Sequence, residues 1–519
     1  MCKLLNRFFR FCCLILCCLP HSSYSDCLPE EPQPLSLLDA ISYALKYQAQ
    51  IKISELNVVA REGIARRSAG PFDPVFDGFI NYTHSSQLQS PSLGIKTNRD
   101  GRETIAQLSA TKRSRLGTLV SFSAEVDQVR NFLRFPRPTN IGTLSFKLEQ
   151  PLLRNFRWSL DTVNEIAAQL AVSATYFDNL QTISQQILNA IEQYWETVAA
   201  QKLLDISLDA ENRLGKLTDE IRRLIEGDQL ARSDIQEPLE QIAAQELITL
   251  QLKQDLYAAI QILKLTIGDI DMCARDSDQL TLSDDFFITK LTAEDLYKMA
   301  KPLMDFAIVN RFDIKASNIR QEVARVLLKG ATNQALPAVN VNTGVRATDF
   351  TNGRHDSLLS PLHMQHPQTD LSIGLSFSMP LHNDSAEGLI LQRKAEQLQS
   401  IFDTQLITQT TIANLREAVV NQITLLAEVE KTNELVRLNE ELIANERTKL
   451  REGFSTIFVL LDFENRLTRA FSAQTIASKE YIQNIALIRF LSGTLLSQYD
   501  QCIELVDVTT LPYLRGTYE

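Results

Sequence analysis

Leu389–Glu452 reads LILQRKAEQLQSIFDTQLITQTTIANLREAVVNQITLLAEVEKTNELVRLNEELIANERTKLRE, without a glycine or a proline. At a rise of 1.5 Å per residue, an uninterrupted helix of this length is a rod of about 95 Å. Ile412, Leu415, Val419, Ile423, Leu426 and Val429 fall three or four residues apart, and Leu435, Leu438 and Leu442 extend the series. Glu417, Glu428, Glu430, Lys431, Glu434 and Arg437 lie between them. This is the pattern of an apolar stripe on a solvated rod, and its length predicts a coiled coil or helical tube rather than a compact domain.

A second breaker-free stretch runs from Leu152 to Leu214, with Ile183, Ile187, Ile191 and Tyr194 at the same spacing. Each rod ends at a glycine, Gly227 or Gly453, and a second helix is expected to return from it. Ser233-Asp234 and Ser455-Thr456 are placed to start the returning helices, which run to about Gly268 and Gly493. Pro238 falls in the opening turn of the first or kinks it.

Strand-like sequence precedes each rod. Leu144, Phe146 and Leu148 alternate with Ser145, Lys147 and Glu149. Leu371, Ile373, Leu375, Phe377 and Met379 alternate with Ser372, Gly374, Ser376 and Ser378. Upstream of these, Phe76, Ile80 and Tyr82 form one series, broken by Phe79, and Val339, Val341 and Val345 form another. A period of two with one apolar and one polar face fits a membrane barrel, lipid outside and water inside, as well as a half-buried soluble sheet.

The halves correspond. Pro74 and Pro337 each open a strand, Pro151 and Pro380 each close one, and Gly227 and Gly453 mark the turns. The interval from Pro74 to Pro151 exceeds that from Pro337 to Pro380 by roughly one hairpin. Thr104–Ala110 and Val120–Val126, around Arg113-Ser114-Arg115, supply it. The expected organisation is a signal peptide at 1–25, a first repeat at 26–272, a linker at 273–287, a second repeat at 288–500 and a tail at 501–519.

Lys3, Arg7 and Arg10, an apolar run from Phe8 to Pro20, and Ser23-Tyr24-Ser25 have the layout of an export signal, with cleavage expected after Ser25. Lipidation is the competing use of this segment, but Asp26 before Cys27 and Leu16-Cys17 before Cys18 suit it poorly. Past the signal no apolar run reaches the length of a membrane helix, so a membrane crossing requires a barrel. Cys27, Cys273 and Cys502 remain in the exported chain, either with one disulfide among them or as free thiols. A net charge of −11 argues against nucleic acid as a partner. No phosphate-binding glycine motif is present, so no nucleotide cofactor is expected. His355, His363 and His366 are spaced closely enough to raise a metal site, although polar loop residues are the simpler reading.

The ordered set of features resembles the TolC-like outer-membrane efflux protein family. Leu35–Ile41 with Ala44-Leu45 is similar to its opening helix, Gln150-Pro151-Leu152-Leu153 to its strand-to-helix junction, and GFSTIFVLLDFENRL at Gly453–Leu467 with Leu491–Leu495 to its distal turn and final helix. The resemblance implies a mainly α fold with a β-barrel part, internally duplicated, whose long antiparallel helices form a periplasmic tube below an outer-membrane barrel. It implies a homotrimer of twelve strands embedded in outer-membrane lipid, serving as the exit duct of a tripartite efflux or type I secretion system. The implied partners are a periplasmic adaptor and an inner-membrane transporter; no cofactor and no catalysis are implied. On this scheme the extra hairpin is an extracellular extension, because Lys112, Arg113 and Arg115 sit badly in lipid; inside the barrel it would raise the count to eighteen.

By the same resemblance Asp462 matches one acidic ring of the pore, with Val459 at the other ring position. Asp234 lies one residue past the corresponding acidic place in the first half, which Ser233 occupies. Leu450 and Ser455 stand where a gating tyrosine and arginine are found, leaving Arg232, Arg447 and Arg451 as nearby replacements. Both aspartates are equally suited to starting a helix. The tips, with Gly227, Leu230, Gly453, Phe454 and Ile457, are the expected adaptor-docking surface, the apolar three being alternatively intramolecular packing. A periplasmic coiled-coil tether and a surface receptor or adhesin are the competing functions.

Overall fold

A computed structural model describes residues 34–89, 97–131, 135–228, 231–268, 281–288, 292–352, 358–452, 454–499 and 502–505. The signal segment, Cys27, Cys273, Leu230, Gly453 and His355 lie outside these residues.

Two helices, α1 (Leu37–Tyr47) and α2 (Ala49–Ser68), lead into strand β1 (Val75–Gln89). A reciprocal capping box between Ser36 and Asp39 starts α1, whose Leu37, Ala40, Ile41 and Ala44 are buried. Strands β2 (Thr97–Arg113), β3 (Leu119–Asn131) and β4 (Phe135–Pro151) follow. The first rod is α3 (Leu160–Glu226, 67 residues), and α4 (Gln236–Ile267) returns from it. The second half repeats this order: α5 (Ala293–Asn310), α6 (Phe312–Gln334), β5 (Ala338–Asn352), β6 (Gln368–Ser378), α7 (Asp384–Arg451, 68 residues) and α8 (Ile457–Ser492). A short pair, β7 (Leu496–Tyr499) and β8 (Cys502–Leu505), ends the described chain.

The rods form as their sequence predicts, but α3 begins at Leu160, not Leu152. Pro151 closes β4, and Asn155 and Arg157 adopt positive φ (69° and 61°) in the intervening turns. Ser159 then caps the helix by accepting from the Thr162 amide at 3.2 Å. Gly215 and Gly388 are accommodated inside the helices. Pro238 falls in the first turn of α4, where its missing N–H leaves no helical bond unmade. Gly268 and Gly493 end the returning helices in the left-handed conformation, both at φ 72°.

The main core lies midway along the rods, where α1, α3, α5, α7 and α8 meet. Tyr194 and Trp195 of α3 and Tyr481 of α8 are its largest aromatic members, and Phe286 and Phe287 pack on Trp195 with ring centroids at 5.7 and 5.9 Å. Tyr194 Oη donates to Asp284 Oδ2 at 2.8 Å, and burial pushes its pKa far up. Residues 281–287, expected to belong to a linker, are thus tied into the core, and Leu282 bridges Leu35. The α7 stripe is buried at Leu415, Val419 and Val429 but not beyond. From there the buried positions are Val436, Asn439, Ile443 and Glu446, while Leu435 and Leu438 face outward beside Ile476 of α8 and Leu442 is likewise exposed. The apolar pattern serves two faces rather than one.

All six long strands form one antiparallel sheet in the order β1-β2-β3-β4-β5-β6. The extra hairpin is β2–β3, and it stands between β1 and β4 as an integral part of the sheet. This corrects the expectation of an extension outside it. The physical reason lies at its turn: Arg113 is adjacent to the strand ends that join the helices, not to the opposite rim. There Arg113 pairs with Asp161 at 2.7 Å and Arg115 with the buried Glu165 at 2.7 Å, both on α3. The arginines avoid an apolar environment by meeting helix carboxylates.

Candidate functional site

The sheet carries the first candidate surface. Phe76, Ala110, Phe122, Phe146, Val345 and Leu371 are successive partners across the six strands. One residue along, Asp77, Ser109, Ser123, Ser145, Arg346 and Asp370 form the next row. Successive side chains in a strand point to opposite faces, so one face of the sheet is apolar and the other polar. The apolar face is exposed: Phe76 is 74% accessible, Ile80 80%, Leu371 72% and Ile373 74%. An apolar face this extensive marks a membrane or binding surface. Toward the rim away from the helices, Pro361 is seated on Gly142, where a Cβ would approach it to 2.8 Å. His366 donates its amide to Asp349 Oδ2 at 3.2 Å, and His363 Nδ1 is bonded to the Ser360 carbonyl, so both serve this loop's own structure. Among the described residues no helix is long and apolar enough to cross a membrane.

The helix tips are the second surface. After Glu226 the chain turns through Gly227 and Asp228, the latter at φ 56°, and a 3-10 turn at Arg232–Ile235 leads into α4. Asp234 closes this turn, accepting from the Ala231 amide at 3.3 Å and from Ser233 Oγ at 3.1 Å. On the other tip Phe454 is 80% exposed, with its amide donating to the Lys449 carbonyl at 2.8 Å. Ser455 Oγ donates to Glu446, and Lys449 Nζ reaches the same carboxylate at 3.0 Å. These two partners hold the Glu446 carboxyl below the usual carboxylate range, the Ser455 hydrogen bond contributing most.

Ile457 is not exposed. It is buried with Leu214, Leu217, Ile221, Ile443 and Leu460 in a second core at the tips, so the intramolecular alternative holds for it. Leu450 packs against the edge of that core. Asp462 lies one turn beyond the start of α8, half-exposed, and pairs with Arg466 at 2.6 Å. Val459 is 38% exposed.

The ion cluster around Glu464 escaped the sequence reading. Its carboxylate is 3% exposed and joins three helices: Arg213 Nε of α3 at 3.0 Å and Arg447 Nη2 of α7 at 2.7 Å. Arg213 Nη2 also reaches Thr468 Oγ1 at 3.1 Å. The available signal was Glu464 itself, an acid in register between Leu460 and Leu467 on the apolar face of α8. Arg447, one of the three expected replacement cations, is the one placed in this cluster.

No protein-family model and no curated protein sequence matches the chain. Solved structures do. The CmeC outer membrane channel of Campylobacter jejuni aligns with TM-score 0.64 at 13% identity, covering 88% of this chain and 85% of that one. The outer membrane protein VceC of Vibrio cholerae aligns with TM-score 0.63 at 13% identity, covering 88% and 96%. The open state of the Neisseria gonorrhoeae MtrE outer membrane channel aligns with TM-score 0.59 at 15% identity, covering 88% and 89%. The expected fold class is borne out: duplicated helical rods joined to an amphipathic antiparallel sheet, the fold of these outer-membrane channels.

Proposed function

We propose that the chain is the outer-membrane exit duct of a tripartite efflux or type I secretion assembly. The observation that carries this is the two-faced sheet continuous with two rods of about 100 Å. The apolar face suits lipid, the polar face a water-filled lumen, and the rods the depth of the periplasm. A periplasmic tether has no use for an exposed apolar sheet.

The working unit on this reading is a homotrimer. Strands β1 and β6 are open edges, and open edges facing lipid leave backbone groups unsatisfied, so copies must close the sheet between them. Leu391, Leu398, Phe402 and Leu406 of α7 form an exposed apolar stripe that a neighbouring copy would cover. The tips meet a periplasmic adaptor through Phe454 and the turn at Gly227, and an inner-membrane transporter supplies the energy. Three copies of Asp462 form a cation-attracting ring at the aperture. Asp234 is the weaker ring candidate, since its carboxylate already closes a turn. Leu450 and Ser455, in the gate positions, act through tip packing and the Glu446 bond rather than as a tyrosine–arginine lock.

The test is conductance of the purified chain in planar bilayers. Stepwise, cation-preferring pores are expected, and a chain that extracts as a soluble periplasmic protein and forms no pore refutes the duct.

A further inference from the structure

The β2–β3 hairpin changes what a closed assembly must be. It is joined to β1 and β4 in full register: Val75–Gln89 pair with Thr97–Thr111, and Leu119–Val129 pair with Thr139–Glu149. Along its length its residues keep the division of faces, with Leu108, Ala110, Phe122 and Ala124 on the apolar side, and Lys112, opposite Val120, ends that apolar run at the helix junction. Its turn is built onto the helical part. Gly117, at φ 92°, approaches so closely that a Cβ would lie 2.3 Å from the Asn155 carbonyl oxygen. Arg157 donates its amide to the Leu116 carbonyl at 3.3 Å, Thr162 Oγ1 donates to the Arg115 carbonyl at 3.1 Å, and the Arg115 guanidinium lies over the Phe72 ring at 5.1 Å. A hairpin clamped at this end and paired along both sides is a permanent member of the wall.

We infer that the assembly is an eighteen-stranded barrel, closed by β6 of each copy on β1 of the next. This rests on the trimeric duct reading, to which it adds the size and seam of the pore. The partner surface is a second copy of this chain: the β1 and β6 edges are unpaired in the sheet, and both carry exposed apolar residues on the same face, Phe76 and Ile80 on one, Leu371 and Ile373 on the other. With strands about 4.8 Å apart and tilted by about 40°, eighteen strands make a backbone cylinder about 36 Å across, and twelve make one about 24 Å. The outer pore therefore has about twice the cross-section that a twelve-stranded closure allows.

Copy number and strand adjacency test this separately. In the full chain with Cys27, Cys273 and Cys502 changed to serine, two cysteine pairs are introduced on the exposed apolar row and oxidised after assembly. Phe76→Cys with Ala110→Cys places direct partners on neighbouring strands, within disulfide range. Phe76→Cys with Phe146→Cys places residues three strand spacings apart, about 14 Å, beyond the limit of about 7 Å. Native mass spectrometry counts the chains in the assembly. Three chains, with the first pair linked within one chain and the second unlinked, is the expected result. Three chains with Phe76 linked to Phe146, or with the first pair unlinked, overturns the eighteen-stranded barrel and leaves the trimer standing. Any other number of chains overturns the trimer and the strand count with it.

Discussion

Glu464 and Arg213 stand 251 positions apart in the chain and meet at 3.0 Å in the core of the tips, where Arg447 completes a three-helix ion cluster. A carboxylate this buried is stable only while its partners remain, so removing it or them loosens the tips more than any surface pair does. Glu464→Ala is expected to destabilise the tip by about 2–3 kcal/mol, below the full range for a buried pair because both arginines are partly exposed. Hydrogen exchange across Ile457–Leu467 should accelerate about 30- to 150-fold, with the main core around Tyr194 unchanged. Equal acceleration in both places would show that the cluster is not local to the tip.

Asp462 gives a contrasting case. Its pair with Arg466 is exposed on both sides and one helical turn long, so Asp462→Ala should alter stability by less than about 0.5 kcal/mol. If three copies form the aperture ring, the same change lowers cation preference and alters single-channel conductance. Unchanged ion selectivity would remove Asp462 from the pore while leaving the duct intact.

The Ser455–Glu446 bond predicts an acid response at the tip. Because the folded carboxyl titrates below its ordinary value of about 4.3, its contribution is fully present above that pH and is lost as pH falls through the depressed pKa. Exchange protection of the α7 end, corrected for intrinsic rates, should therefore be flat from pH 7 to about 5 and decline below about 4. Ser455→Ala removes the leading cause of the depression, so the folded carboxyl should titrate closer to the unfolded one and the decline below about pH 4 should become smaller. A decline already complete at pH 6 would assign it to another group.

Adjacent positions on β6 separate the two faces of the sheet. Ile373→Arg puts a charge on the apolar face and should cost about 2–4 kcal/mol if it lies near the bilayer midplane. Gly374 points to the polar face, with nothing within 4 Å of its Cβ position, so Gly374→Arg should assemble normally and change only conductance. Heat-resistant oligomer on gels reads the first effect and bilayer recording the second. Equal loss of assembly in both variants would contradict the assignment of faces.

The rods and the faces of the strands were legible in the chain itself. Helix length depends on the absence of breakers, and a strand's two faces depend on alternation; both are relations between near neighbours in sequence. The prolines at 74, 151, 337 and 380 marked the strand ends for the same local reason. Even here the outward turn of Leu435, Leu438 and Leu442 was hidden, because an apolar stripe does not state which neighbour it packs against.

The place of the hairpin was decided only by the folded chain. Lys112, Arg113 and Arg115 read as charges to be kept out of lipid, and that was sound, but two ends of a sheet satisfy it. Which end they occupy depends on Asp161 and Glu165, about 50 positions later, being brought to the same junction by β4 and the turn before α3. Ile457 and Glu464 follow the same logic, one open in the sequence between docking and packing and one overlooked. Their environments are made by α3 and α7, and burial and charge pairing are properties of what the fold brings near, not of the residues alongside.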